Sequence, residues 1–216
     1  TATSSSTGAF TFTISDTTLA SISGSTVSIV ATGITIATVS QTADSKYLPA
    51  TATMTLTINK ANPTIVFNDV TKNFGDVDFD LVASSNSSGT FSFTVSDTSV
   101  ATVSSSTITI IGGGSTIITL NQAEVNNYNA GVATMTLTVN KASISITFDD
   151  LTKTYGDPNF EFTATSSSTG VFSFTISNTS IATMVDSTTA SIAAVGTSTV
   201  EVQQAADDNY NSSSAT

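Results

Sequence analysis

The chain has 216 residues, with five basic side chains against sixteen acidic ones, a formal charge of −11, and no Cys, His or Trp. No disulfide or thiolate metal site can brace it, and so acidic a surface cannot replace the counterions of nucleic acid or an anionic membrane, which excludes both as partners. No apolar run approaches the length of a membrane span, so no membrane insertion is expected in this segment.

The first segment of the chain is already a repeat marker. TATSSSTG at Thr1–Gly8 recurs letter for letter at Thr163–Gly170, and a looser copy, LVASSNSSGTFSFTVSDTSVATV, occupies Leu81–Val103. Phe10, Phe91 and Phe172 stand 81 positions apart, as do Lys60 and Lys141 in INKA and VNKA. Tyr128 pairs with Tyr210 at 82, so the third copy gains one residue near Ser187–Thr189, as a surface turn allows. The repeats are therefore 1–59, 60–140 and 141–216, and only the middle one is complete.

The middle repeat reads as seven short runs of period two: Thr64–Phe67 (A), Phe79–Ser84 (B), Phe91–Ser96 (C), Val100–Val103 (D), Thr107–Ile111 (E), Ser115–Gln122 (F) and Ala133–Asn140 (G). In C, Phe91, Phe93 and Val95 face inward while Ser92, Thr94 and Ser96 face water. In G, Met135, Leu137 and Val139 face inward. Strand F is ambiguous by itself. The third copy places Thr199 and Glu201 opposite Ile117 and Thr119, which turns Ile118 and Leu120 inward. Gly112–Gly114 and the Ser-rich stretches are turns. Seven strands in about 80 residues, with no helical period, predict an all-β chain of tandem immunoglobulin-like β-sandwiches repeating about every 81 residues. Neither junction, Asn59–Asn62 or Asn140–Ser143, holds a Gly/Ser tract. The sandwiches are therefore expected to join stiffly, each adding on the order of 35–45 Å. The first repeat lacks strand A and the third lacks strand G. The chain reads as a window on a longer array, or as one whose missing strands come from a neighbouring chain.

Here the sequence resembles a family. ASISITFDDLTKTYGDPNFEFTATSSSTGVFSF at Ala142–Phe174 resembles the MBG domain of the YGX type, a tandem bacterial Ig-like repeat of very large surface proteins. The matching residues are Lys153, Tyr155, Gly156 and Asp157, then Asn209 and Tyr210. The middle copy carries Lys72, Phe74, Gly75, Asp76, Asn127 and Tyr128, with Phe74 in place of the family's Tyr. The first copy keeps only Lys46 and Tyr47. The resemblance implies a structural or adhesive role outside the cell and carries over no catalytic residue.

Catalysis has no His base, Cys nucleophile or Arg clamp to work with, so no enzyme activity is expected. Calcium is the one cofactor the residue types suggest. Asp76 and Asp78 lie in the turn from A to B, and Asp207 and Asp208 in the turn from F to G. Alternating strand direction sets these turns at facing ends of consecutive repeats, and carboxylates and amides suit Ca²⁺. The alternative, which the sequence favours, is acidic turns splayed into water. With few large apolar residues on either side, hydrophobic docking at the junction is expected to be small. Tyr47, Tyr128 and Tyr210 are expected to bury their rings against their own sandwiches, and Phe74 and Tyr155 to plug the core. The expected partners are neighbouring repeats of the same chain and, beyond them, other copies in a filament or cell-surface glycans. The function expected is a structural spacer or stalk of a secreted surface or filament protein, at the bacterial cell surface. The alternative is an adhesin module holding a carbohydrate or protein.

Overall fold

A computed structural model describes residues 1–216, and every regular element in it is a strand. The first repeat forms β1 (Phe10–Ile14), β2 (Ala20–Ser23), β3 (Thr26–Ile29), β4 (Gly33–Gln41) and β5 (Ala50–Ile58). The second forms β6 (Ile65–Val66), β7 (Val70–Asn73), β8 (Phe79–Asp80), β9 (Ser84–Ser85), β10 (Phe91–Val95), β11 (Ala101–Ser104), β12 (Thr107–Ile110), β13 (Gly114–Gln122) and β14 (Gly131–Asn140). The third forms β15 (Phe160–Glu161), β16 (Phe172–Ile176), β17 (Ala182–Met184), β18 (Thr189–Ile192), β19 (Val200–Gln204) and β20 (Ser213–Ala215). The chain is all-β, built as immunoglobulin-like sandwiches of small sheets.

Two compact units emerge, and the boundary between them falls inside the middle repeat. One comprises Thr1–Val66, Ala83–Phe91 and Asn121–Ala133; the other comprises Phe67–Val82, Ser92–Leu120 and Thr134–Thr216. In the first unit, β1, β4 and β5 form one sheet, β2 and β3 a hairpin, and β6 pairs with β9. Within the first repeat only Ala20, among the apolar residues, is fully buried. The second unit holds two cores. One joins Ile118, Met135, Leu137 and Val139 to Ala101 and Ile108 of the facing sheet β11-β12-β8, with Phe67, Phe79, Phe93, Val95 and Ile110 at its margin. The other gathers Phe162, Phe174, Ala190 and Val202. There Phe162 stacks on Phe174 at 5.5 Å between centroids, and Phe148 lies 5.7 Å from the same ring.

The alternation read from strands C and G holds. Met135, Leu137 and Val139 are buried while Thr134 and Thr136 face out, and Ile118 and Leu120 are fully buried while Ile117 is exposed. Two readings change. Strand A forms as β6, antiparallel to β9, but the stretch read as the turn from A to B holds a further strand, β7, which runs parallel to β14, pairing Val70 with Leu137 through to Asn73 with Asn140. Strand B shrinks to the two-residue segments β8 and β9. Strand β7 carries only one apolar residue, so no alternation announces it. What makes it a strand is the backbone edge of β14, which needs partners for its amides and carbonyls.

Candidate functional site

The junctions between repeats gather the residues singled out in the sequence. Each begins with a Lys-Ala step that is sewn to the F–G turn of the repeat it enters. At the second junction the Ala142 N–H donates to the Asn209 carbonyl at 2.9 Å, and the Asn211 N–H donates to the Ala142 carbonyl at 2.9 Å. At the first, Ala61 makes the same pair with Asn127 and Asn129, at 2.9 and 2.8 Å. The lysine then folds over the turn. Lys141 Nζ donates to the Asp207 carbonyl, and Lys60 donates to the Val125 carbonyl while pairing with Glu124. A linker held this way has little freedom to swing.

The same turn reaches back to the preceding repeat. Asn209 Oδ1 accepts the Gly113 N–H at 2.9 Å, and Asn127 Oδ1 accepts the Thr32 N–H at 3.0 Å. Thr32 and Gly113 occupy equivalent places in the E–F turns. A Cβ on Gly113 would stand 2.6 Å from the Asp208 carbonyl, so glycine permits the close approach there. Beside it the Tyr210 ring meets Phe74 edge-on at 5.4 Å. This corrects two expectations. Tyr210 packs on the preceding repeat, not only on its own, and the junction does hold an aromatic contact. Tyr155, the counterpart of Phe74, is 65% exposed and plugs no core.

The Phe74 and Tyr155 positions are set by one turn. The Asn73 N–H donates to the Asp76 carboxylate at 2.9 Å, the Asp76 N–H returns to the Asn73 carbonyl, and Gly75 sits at φ 91°. Thr154, Gly156 and Asp157 repeat this, with Gly156 at φ 99°. The positive φ is the physical need behind the glycine of the motif. Its lysine lies over a phenylalanine ring in both copies, Lys72 on Phe79 at 4.7 Å and Lys153 on Phe160 at 5.3 Å.

The carboxylates proposed for calcium are placed as follows. Asp76 closes its own turn, and Asp78 accepts from the Thr109 hydroxyl at 2.9 Å. Asp208 is exposed. Asp207 uses both oxygens. One accepts the Asn209 and Tyr210 N–H groups, at 2.8 and 2.7 Å; the other accepts the Thr169 N–H and the Ser168 and Thr169 hydroxyls. These donors, the Thr169 N–H foremost, hold its carboxyl far below the ordinary carboxylate range. Asp44 holds the equivalent turn of the first repeat, with the Lys46 N–H the leading cause of the same depression. No three His, Cys, Asp or Glu side chains converge anywhere in the chain.

Sequence reasoning missed a buried glutamine. Gln122 Nε2 donates to the Ser87 and Gly89 carbonyls at 2.9 and 3.1 Å, and its Oε1 accepts the Ser85 hydroxyl at 2.8 Å. Gln204 does the same with Ser168, Gly170 and Ser166, and Gln41 bonds the Ser6 and Gly8 carbonyls. The recurrence of Gln at the end of strand F in all three copies was the available signal.

No family model matches the chain, and no curated protein matches it. Among solved structures, the surface layer protein SbsC, domains 1–6, is 16% identical over 96% of this chain and 32% of its own, with a TM-score of 0.30. SbsC domains 4–9 are 15% identical over 95% and 38%, with a TM-score of 0.29. The S-layer protein rSbsC(31-844) is 14% identical over 96% and 32%, with a TM-score of 0.27. The chain thus spans about a third of the length of the structures it resembles.

Proposed function

We propose that the chain is a run of structural spacer repeats, of the MBG-like kind, from a large secreted bacterial surface or filament protein, and that it performs no catalysis. The observation that carries this reading is the junction. Two successive junctions use the same parts, a Lys-Ala step sewn to an Asn-Tyr turn and an Asn side chain capping the E–F turn of the repeat before. Repeats that present their chemistry to one another are suited to setting spacing. No helix is long and apolar enough to cross a membrane.

Small-angle scattering on polypeptides of one to four middle repeats tests the reading. The maximum dimension is expected to grow nearly linearly with copy number, and replacing each junction Asn and Tyr by Ala is expected to bend that growth toward coil-like scaling. Coil-like scaling of the unaltered repeats would overturn it, as would selective capture of the chain by surface glycans on an array.

A further inference from the structure

Each repeat ends one of its sheets on strand C. Strand β16 stands last in the order β16-β19-β20, β1 last in β1-β4-β5, and β10 last in β10-β13-β14-β7. We propose that this edge pairs antiparallel with the same edge of a second copy of the chain and so joins neighbouring chains side by side.

The backbone sets out what the edge offers. The Ala205 N–H donates to the Val171 carbonyl at one end of β16, the Ser177 N–H donates to the Thr199 carbonyl at the other, and the register between them is unbroken. Bonded pairs alternate in an antiparallel ladder, so residues 171, 173, 175 and 177 turn to β19 while the amides and carbonyls of Phe172, Phe174 and Ile176 point away from the sheet. No other strand pairs with them there. In β1 the Thr42 N–H donates to the Ala9 carbonyl and the Ser15 N–H to the Ile36 carbonyl, which sends Phe10, Phe12 and Ile14 outward in the same way.

Edges that must stay single are guarded by a lysine, a proline or a bulge. The far edge of the middle sheet, β7, carries Lys72. Strand C carries no such device. FTFTI, FSFTV and FSFTI hold no charge, proline or glycine, and the continuous registers of β1 and β16 leave no bulge. The nearest following acids, Asp16 and Asp97, stand two residues past the strand end, and the third copy has Asn178 there. The net charge of −11 is thus kept off the edge itself.

This edge is complementary to itself. A two-fold axis at Phe174 sets Phe172 of each copy opposite Ile176 of the other, and Ser173 opposite Thr175. Apolar side chains then meet on the core side and hydroxyls on the wet side. Phe172 and Ile176 are half-buried in the single chain, so each keeps apolar surface for the partner to cover. One five-residue pairing is small. Three like edges recur 81 residues apart in the sequence, a period that a second copy shares, and each pairing raises the effective concentration for the next. The proposal rests on the reading of the chain as an array of like repeats and adds the partner that such an array would take.

Sedimentation of the whole chain from micromolar to millimolar concentration, with amide hydrogen exchange at both ends of that range, tests it. Association is expected, with exchange at Phe172, Phe174 and Ile176 slowing as concentration rises. Ser173→Lys with Thr175→Lys, and lysine likewise at Thr11, Thr13, Ser92 and Thr94, would set like charges opposite each other across every such pairing. All six side chains face solvent. This variant is expected to associate about tenfold more weakly or worse. Glutamate in place of lysine at Thr11, Ser92 and Ser173 sets opposite charges across the same pairs and is expected to restore association, which a fold damaged by the substitutions would not do. A natural chain that stays monomeric throughout, equal association by the all-lysine variant, or protection gained at Val70–Asn73 instead would overturn the proposal. Rod-like growth of dilute repeats without association would overturn it and leave the spacer reading standing; association with coil-like growth would do the reverse.

Discussion

Gly89 leaves no space for a side chain: a Cβ there would stand 1.9 Å from the Ala123 carbonyl oxygen, and Gly8 and Gly170 meet Thr42 and Ala205 at the same distance. Gln122 ties this glycine's carbonyl down, so loop and strand end are clamped twice. Gly89→Ala is expected to cost about 2–4 kcal/mol in the middle repeat, read from chemical denaturation, because backbone rather than a flexible side chain must give way. Asp207 acts by charge. Its carboxyl is lowered in the folded state from 3.8, so the stability it lends is complete above that value and is lost as pH falls through the lower folded one. Exchange at the Asn209 and Tyr210 amides, corrected for intrinsic rate, is therefore expected to accelerate below about pH 4. Tyr128 is expected not to follow, since Val125 stands where Asp207 does. Asp207→Asn should remove the acid step, and an unchanged step in that variant would refute the assignment.

Between elements, Met135 tests the closed core of the middle repeat, where it is 3% exposed. Met135→Ala is expected to cost about 2–4 kcal/mol because a cavity opens there. Denaturation followed by hydrogen exchange at β14 reads the loss. Strands C to G were legible in the sequence because period two is a local signal: Phe93, Ile108 and Leu137 each sit between polar neighbours, and the facing of Ile118 followed from the third copy. Strand β7 was not legible, since Val70-Thr71-Lys72-Asn73 becomes a strand through an edge 67 residues away. Phe74 does pack against the core of its own repeat, but its contact with Tyr210 of the next repeat was missed for a related reason. An aromatic in a turn looks the same in sequence whether it closes its own repeat or touches the one beside it. Gln122 escaped notice because a polar residue at a strand end reads as solvated until the carbonyls around it are counted.

At the scale of the molecule, function rests on what is repeated. The repeat itself, the facing of the A–B and F–G turns and the absence of catalytic residue types could be read from the letters. The Asn cap could not, because it depends on a backbone N–H whose position only folding supplies. Calcium belongs to this scale as well. With Asp76 bonded within its own turn, Asp78 to Thr109, and Asp207 to Ser168, Thr169 and its own turn, calorimetric titration of a two-repeat polypeptide with Ca²⁺ is expected to show no binding. Tight binding abolished by Asp208→Asn would reverse that expectation. Strand β7 lies near the entry of the middle repeat and β14 at its exit, and the two run parallel through four registered residue pairs. Tension applied at the two ends drags parallel strands past each other, so their hydrogen bonds are loaded together in shear and cannot unzip one at a time. Single-molecule stretching of tandem middle repeats is accordingly expected to give evenly spaced, high-force unfolding peaks. Lys72→Pro, which removes a donor from that pairing, is expected to lower the force of each peak while leaving the spacing between them intact.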